Sequence, residues 1–369
     1  MPEAKFDFTL TRRRFLEGLA ATGVLSSLAT PVPAQEDDSK PARTKHPIRI
    51  GQIGVGHAHA TKLSVYRESR DYEVVGVVEP NEELRRAAEK RPAYRGVRWM
   101  TQAELLSTPG LQAVLVETEI RDLLNTADAC LAAGKHIHLD KPPGHSLPQF
   151  EQLLSSAARQ DLLVQLGYMW RYHPAVLLLR EFLNNGWLGE VFEVTAVIGK
   201  RCTPEERTRF AEFPGGIMFE IGCHMLDLAI SVLGAPDKVI SLRQQLSKED
   251  HLTDHVVTLL HYPRAIADVR INALEVDGGP QRRFVVYGTE GTFHIQPMDG
   301  AQARLTLQQP RGKYSRGMQS LTFPKFTRYV ADAADMAQII RGEKAPSFSR
   351  EHDLAVQRTL LLAGQATPG

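Results

Sequence analysis

Glu220, His224 and Asp227 punctuate the run Gly215-Gly216-Ile217-Met218-Phe219-Glu220-Ile221-Gly222-Cys223-His224-Met225-Leu226-Asp227. A helix through this run places the three at i, i+4 and i+7, on one face. Isoleucine, methionine and leucine fill the spaces between them, so three titratable groups sit at the margin of an otherwise apolar helix. Charged groups are seldom buried without a partner or a task. An imidazole beside a carboxylate is a common general acid–base. Two carboxylates and an imidazole would also suit a divalent ion in a hydrolase or lyase, and a purely structural His224 is a third reading. His57/His59 and His136/His138 are two further His-x-His pairs. In a doubly wound sheet the first and fifth strands lie two apart, roughly 10 Å, so these pairs are not expected to share an ion. The acid–base reading, without a metal, is preferred.

Acid–base work of this kind needs a cofactor and a substrate pocket nearby. Ile48-Arg49-Ile50-Gly51-Gln52-Ile53 reads as a buried strand leading into Gly54-Val55-Gly56-His57-Ala58-His59. Two glycines let the backbone turn tightly and approach a pyrophosphate resting on the next helix N-terminus. His59 replaces the third glycine of that fingerprint, so the loop alone is also compatible with a turn that binds nothing. Glu79 adds weight by ending the second strand, where a carboxylate accepts from the ribose hydroxyls of NAD and repels the extra phosphate of NADP. Pro80 follows it, and Arg85 and Arg86 are expected to face water from the next helix. NAD is the expected cofactor, with NADP as the alternative. Lys141, in His138-Leu139-Asp140-Lys141-Pro142, falls at the C-terminal end of the fifth strand, the edge where open α/β sheets bind ligands. Beside a nicotinamide and apolar walls its ammonium can donate to a substrate hydroxyl and help the proton leave. Outside that context it would be a solvated strand-end residue.

The elements that must position these groups alternate. Strand patterns at 48–53, 74–78, 97–100, 113–116, 136–139 and 163–166 are separated by helix-period segments such as 82–90, 123–133 and 147–159. Such alternation predicts a doubly wound parallel sheet of the Rossmann type. After about residue 167 two helices, near 174–184 and 218–232, precede longer strands at 191–198, 238–244, 256–262, 265–273, 283–287 and 292–296. These predict a second, α+β domain with an open, mostly antiparallel sheet. Helices near 331–341 and 352–363 close the chain. The expected partition is 1–34 signal peptide, 35–46 flexible leader, 47–167 nucleotide-binding domain and 168–369 substrate-binding domain. An open sheet leaves a broad face to cover, so a homo-oligomer is expected. Lys200–Pro214, with Arg201, Glu205, Glu206, Arg207 and Arg209, reads as a charged loop, either solvated or touching the distal part of a substrate.

Four motifs in this order, Gly54-x-Gly56, Ala133-Gly134-Lys135-His136, Lys141-Pro142 and Gly215-Gly216-x3-Glu220-x3-His224, resemble the glucose–fructose oxidoreductase / inositol dehydrogenase / MocA oxidoreductases. Gly167-Tyr168-Met169-Trp170-Arg171-Tyr172-His173-Pro174 also looks like that family's interdomain junction, and the resemblance covers about residues 47–300. It implies an NAD- or NADP-dependent oxidoreductase acting on hydroxyl or carbonyl groups of sugars, cyclitols and related polyols. It further implies that Lys141 binds the reacting oxygen, His224 accepts or donates its proton, and Glu220 orients substrate or imidazole. The cofactor-facing set is then Gly54, Gly56, His57, Glu79, Glu119 and Lys141. Three departures stand out. Asp140 replaces the usual Glu before Lys-Pro, Glu220 replaces a shorter Asp, and Thr118-Glu119 stands where Thr-Pro is common. Some relatives oxidise a sugar transiently to cut a glycosidic bond, and a non-catalytic sugar- or nucleotide-binding protein is the alternative of another class.

The chain has 369 residues, 43% hydrophobic and 24% charged, with 44 basic against 43 acidic side chains. That balance, without a basic block, argues against nucleic acid as a partner. Three cysteines are too few and scattered for a disulfide framework, and no apolar run reaches the roughly 20 residues of a membrane span. Thr11-Arg12-Arg13-Arg14-Phe15-Leu16, an uncharged stretch 18–30 and Val32-Pro33-Ala34 follow the order of a secretory signal. The arginine pair resembles a twin-arginine signal, with Glu17 where Lys is common. The expected partners are therefore the twin-arginine export machinery and a small sugar or polyol, and the expected location is periplasmic or otherwise exported.

Overall fold

The computed structural model describes residues 46–365; the signal expected at 1–34 and nearly all of the 35–46 leader lie outside them. The first half is built from β1 (Ile48–Ile53), α1 (Leu63–Glu68), β2 (Tyr72–Val78), α2 (Glu82–Glu89), β3 (Trp99–Met100), α3 (Gln102–Leu106), β4 (Ala113–Val116), α4 (Leu123–Ala132), β5 (His136–Leu139), α5 (Leu147–Arg159) and β6 (Val164–Leu166). The six strands lie parallel in the order β3-β2-β1-β4-β5-β6. β1 and β4 are buried almost throughout, as strands covered on both faces must be. Strand order reverses between β1 and β4, and the crevice beyond that switch point is where such sheets bind ligands.

The second half holds α6 (Pro174–Asn184), β7 (Val191–Gly199), α7 (Pro204–Ala211), α8 (Cys223–Leu233), β8 (Lys238–Gln244), β9 (His255–His261), β10 (Ile266–Asn272), β11 (Arg283–Gly288), β12 (Gly291–Ile295), β13 (Gln302–Leu307), β14 (Gly317–Thr322), α9 (Val330–Ile340) and α10 (Arg350–Gly364). The strands form one sheet, β14-β13-β12-β11-β7-β10-β9-β8. It is antiparallel except at β7–β10. A continuous apolar core runs from Leu139 and Phe150 through Trp170 to Val194, Met225 and Leu360, so it ties the two sheets together. On the other side of the first sheet, Ala333, Met336 and Ala337 of α9 pack with Ile48 and Tyr66, and the Tyr72 hydroxyl donates to Ala333 O at 2.6 Å. No helix among the described residues is long and apolar enough to cross a membrane.

Two segments differ from the sequence expectation. Strands β13 and β14 extend the sheet beyond the last strand anticipated. Lys200–Pro214 is not a loop over its middle: α7 starts at a capping box in which Thr203 and Glu206 satisfy each other's backbone N–H, with Pro204 at the first helical position. Arg207 of α7 is clamped by Asp250 and Asp254, so that arginine has a structural task.

Candidate active site

The nucleotide loop forms as its glycines require. Gly54 adopts φ +91°, and a Cβ there would fall 2.4 Å from the Thr118 backbone nitrogen, so no other residue fits between β1 and β4. A cavity of about 860 Å³ opens beyond the strand ends, lined among others by Gly54, Gly56, Glu79, Arg85, Trp99 and Glu119. Glu79 is fixed at its wall, accepting from Val55 N and Asn81 N, both at 2.9 Å. These residues fit a nicotinamide dinucleotide: a glycine cradle for the pyrophosphate and a held carboxylate for ribose hydroxyls. Arg85 is exposed, as expected, and pairs with Glu89 at 3.1 Å. It also lines the cavity, with its guanidinium 5.2 Å from the Trp99 ring centre. Arg86 is exposed and pairs with Glu82. Glu119 lines the cavity and pairs with Arg121, which reaches Glu212 just beyond α7 at 3.2 Å.

The run that carries Glu220 and His224 is not a uniform α-helix. Gly216, at φ +52°, passes so close to Thr253 that a Cβ would lie 2.6 Å from its carbonyl oxygen. Met218–Gly222 then form a π-helical turn before α8 begins. Such single turns carry an extra residue and recur at functional sites. Glu220 lies within that turn, whereas His224 and Asp227 both belong to the regular helix that follows it. Asp227 is instead buried against Arg171 at 2.6 Å and His352 at 3.0 Å, and Arg171 also binds Asp353 at 2.6 Å. The expected three-residue face is thus a pair, and Asp227 serves to lock α8 to α10 and the interdomain junction.

Lys141 reaches the pair from the end of β5. Its Nζ donates to the Glu220 carbonyl at 2.9 Å and lies 3.7 Å from Glu220 Oε1, with both residues buried. Burial alone would lower the lysine's pKa, but Glu220 and weaker neighbours carry it above the usual value, so the ammonium stays charged. His224 is held well below 6.5, first by burial and then by Lys141 and His59; it is neutral at pH 7 and able to accept a proton. His224 Nδ1, Glu220 Oε2 and the Tyr168 hydroxyl are buried with no hydrogen-bond partner among the described residues. The Tyr168 and Trp170 rings lie 5.9 and 5.1 Å from that of His224. Unpaired buried polar atoms are costly, and this group of them marks where a polar ligand would bind. A small cavity lined by Gly56, His57, Glu119, Arg121, Arg209 and Glu220 separates the nucleotide loop from Glu220. Of the charged residues in 200–214, Arg209 and Glu212 are therefore the two that line this cavity.

Sequence reasoning missed Lys62. It is buried, and its Nζ lies 3.0 Å from Asp140 Oδ2, 3.0 Å from Glu117 Oε1 and 2.9 Å from His138 Nε2. Asp140 also takes His57 Nδ1 at 2.8 Å, His59 Nδ1 at 3.2 Å and the Lys141 backbone N–H at 2.7 Å. Burial opposes ionisation of Asp140, yet His57, Lys62 and His59 hold its carboxyl well below the usual range. Burial, together with the charge of Asp140, pushes Glu117 well above it. His138 therefore meets His57 and His59 through Lys62 and Asp140, whereas His136 accepts from Leu163 N at 3.0 Å. His57, His59 and Asp140 bring three metal-ligating atoms within 4.8 Å, but the Lys62 ammonium already supplies the cation that Asp140 needs. Both ring nitrogens of His57 are engaged, the second by Lys141 O at 3.1 Å, and its backbone N–H is taken by Glu117 O at 3.1 Å.

A glycine-cradled nucleotide crevice, with a buried lysine and a neutral imidazole clustered near its loop, suits a dinucleotide-dependent oxidoreductase acting on CH–OH groups. The chain belongs to the GFO/IDH/MocA family: residues 48–168 match its oxidoreductase domain with an NAD-binding Rossmann fold, and residues 176–294 match its C-terminal domain. Its cofactor is NAD or NADP. D-glucoside 3-dehydrogenase of Escherichia coli (strain K12) is 30% identical over 53% of this chain and 57% of its own length. Myo-inositol 2-dehydrogenase of Thermotoga maritima is 24% identical over 71% and 79%. GenD2 from gentamicin A biosynthesis, solved in complex with NAD, shares the fold with a TM-score of 0.72 at 20% identity, over 90% of this chain and 96% of that one.

Proposed function

We propose that this protein is an exported, NAD-preferring dehydrogenase of a sugar-like or polyol hydroxyl. The observation that carries the reading is the cluster of buried Lys141, His224 and the unpaired Glu220 oxygen beside the small cavity that Glu220 shares with Gly56 of the nucleotide loop. When bound, the nicotinamide supplies the hydride acceptor or donor. Lys141 would hold the reacting oxygen and His224 would take or return its proton. Relatives named for glucoside and inositol oxidation support a polyhydroxylated substrate. The twin-arginine pattern at Arg12-Arg13 supports export. Phe192, Leu242, Leu259 and Ile266 are exposed apolar residues on strands of the open sheet, which supports a symmetric pairing of two chains through that sheet. The test is NADH formation from NAD+ with methyl β-D-glucoside and with myo-inositol. Turnover of either supports the reading; failure of both, with no nucleotide bound, contradicts it.

Cofactor preference rests on two opposed wall residues. Glu79 disfavours an extra phosphate, while Arg85 offers it a cation. Glu79→Ala is expected to weaken NAD about tenfold or more and leave NADP unchanged or tighter, measured by quenching of nucleotide fluorescence. Equal losses for both nucleotides would remove Glu79 from the discrimination.

A further inference from the structure

His59 stands where a dinucleotide fingerprint has its third glycine, so its side chain is an addition peculiar to this loop. Its ring centre lies 6.2 Å from that of His224 and 5.9 Å from Tyr329. Its Nδ1 faces Asp140 Oδ1 at 3.2 Å. An ionised carboxylate only accepts hydrogen bonds, so Nδ1 carries the hydrogen and Nε2 presents its lone pair. Asp140 is kept ionised by donors from Lys62, His59 and the Lys141 backbone, with the His57 ring also against its carboxylate. This is the logic by which a carboxylate fixes the tautomer of a catalytic imidazole. The His59 side chain keeps 16% of its surface open, whereas His224 is 5% exposed.

We propose that His59 is a relay residue that acts through His224, passing protons between that buried imidazole and water while Asp140 sets its tautomer. The inference rests on His224 being the acid–base of the site. In the oxidation direction the substrate C–H bond yields hydride to the nicotinamide, the O–H bond breaks, and its proton goes to His224. That proton then moves to His59 Nε2, directly or through one bridging water, and on to solvent; reduction reverses the path. Without an outlet, a buried imidazolium beside Lys141 would be trapped in an unfavourable field. The charged and titratable groups facing His59 are Asp140, Lys141, Lys62 and His57, with His224 and Tyr329 across the cleft. Burial dominates among the influences on it and, although Asp140 opposes this, the His59 pKa falls to about 3. The relay is therefore neutral at rest and gives up a proton readily.

Two readouts test this. In the wild-type protein without nucleotide or substrate, imidazole nitrogen NMR should show His59 protonated on Nδ1, and Asp140→Asn should abolish that preference. An Nε2-protonated ring in the wild type would overturn the proposal by itself. In steady state with NAD+ and methyl β-D-glucoside or myo-inositol, His59→Gln should lower kcat by about 10- to 100-fold, enlarge the solvent deuterium isotope effect and respond to added imidazole. Nucleotide affinity should change by no more than about twofold. Unchanged kcat and isotope effect in His59→Gln, with His224→Asn still impaired, would refute the relay while leaving the acid–base reading intact. A fully active His224→Asn would instead refute that reading. Loss of nucleotide affinity with kcat preserved at saturation would make His59 a cofactor contact and overturn the relay.

Discussion

Replacing His224 with asparagine is expected to lower kcat by on the order of 10²–10⁴ while nucleotide affinity stays within about twofold. Asparagine retains polarity and approximate size, so the packing against Tyr168 and Trp170 is largely kept. What it loses is a group that can gain and release a proton. Because burial, Lys141 and His59 keep the imidazole pKa well below 6.5, His224 is a base at neutral pH and protonates only in acid. The acid limb of the wild-type kcat/KM profile therefore lies below the ordinary histidine value, and the variant lacks the part due to His224. Stopped-flow measurement of NADH formation across pH checks both points. A fall in affinity with kcat unchanged would place His224 in binding alone.

Lys141→Met is expected to cost about 10²–10³ in kcat, as loss of a positioned donor to a reacting oxygen does. It should also destabilise the fold by about 3–5 kcal/mol. The reason is that Glu220 would remain buried with its cation and its carbonyl's donor both removed. The double variant Lys141→Met/Glu220→Gln separates the two effects. Neutralising Glu220 relieves the uncompensated charge, so stability in urea should largely return while activity should not. Recovery of activity along with stability would show that Lys141 only holds Glu220 in place.

Much of this arrangement was legible beforehand, and the reasons are physical. Strands β1, β4, β5 and β8 carry strong local patterns, and their bounds match the sequence reading at both ends. Gly54 and Lys141 were placed by motifs whose chemistry is local: a strained turn and a strand end. Helix α7 was also written locally, in Thr203-Pro204-Glu205-Glu206, but its density of charge drew it toward a loop reading. Strand β13 alternates buried and exposed residues throughout, a period-2 signal that went unread.

Other features have no local signature. Asp227 has the spacing of a site residue, yet its partners are Arg171 and His352, the latter 125 residues further along. Lys62 resembles any helix-start lysine, and its burial depends on Glu117, His138 and Asp140 from β4 and β5 converging on it. The same convergence explains why His57 is drawn into the protein interior. Asp140 is one methylene shorter than the residue the family commonly carries there, and in this chain it gathers Lys62, His57, His59 and the Lys141 backbone N–H around it. Glu220, one methylene longer than expected, keeps one oxygen near Lys141 and leaves the other unpaired.

The central claim, that a nicotinamide dinucleotide binds in the crevice between β1 and β4, is tested most directly by titrating the purified protein with NAD+ and NADH in a calorimeter. The account requires saturable binding of one nucleotide per chain, abolished in Gly54→Ala, where a methyl group would collide with the Thr118 backbone. Absence of binding in the wild-type protein, or undiminished binding in Gly54→Ala, would contradict it.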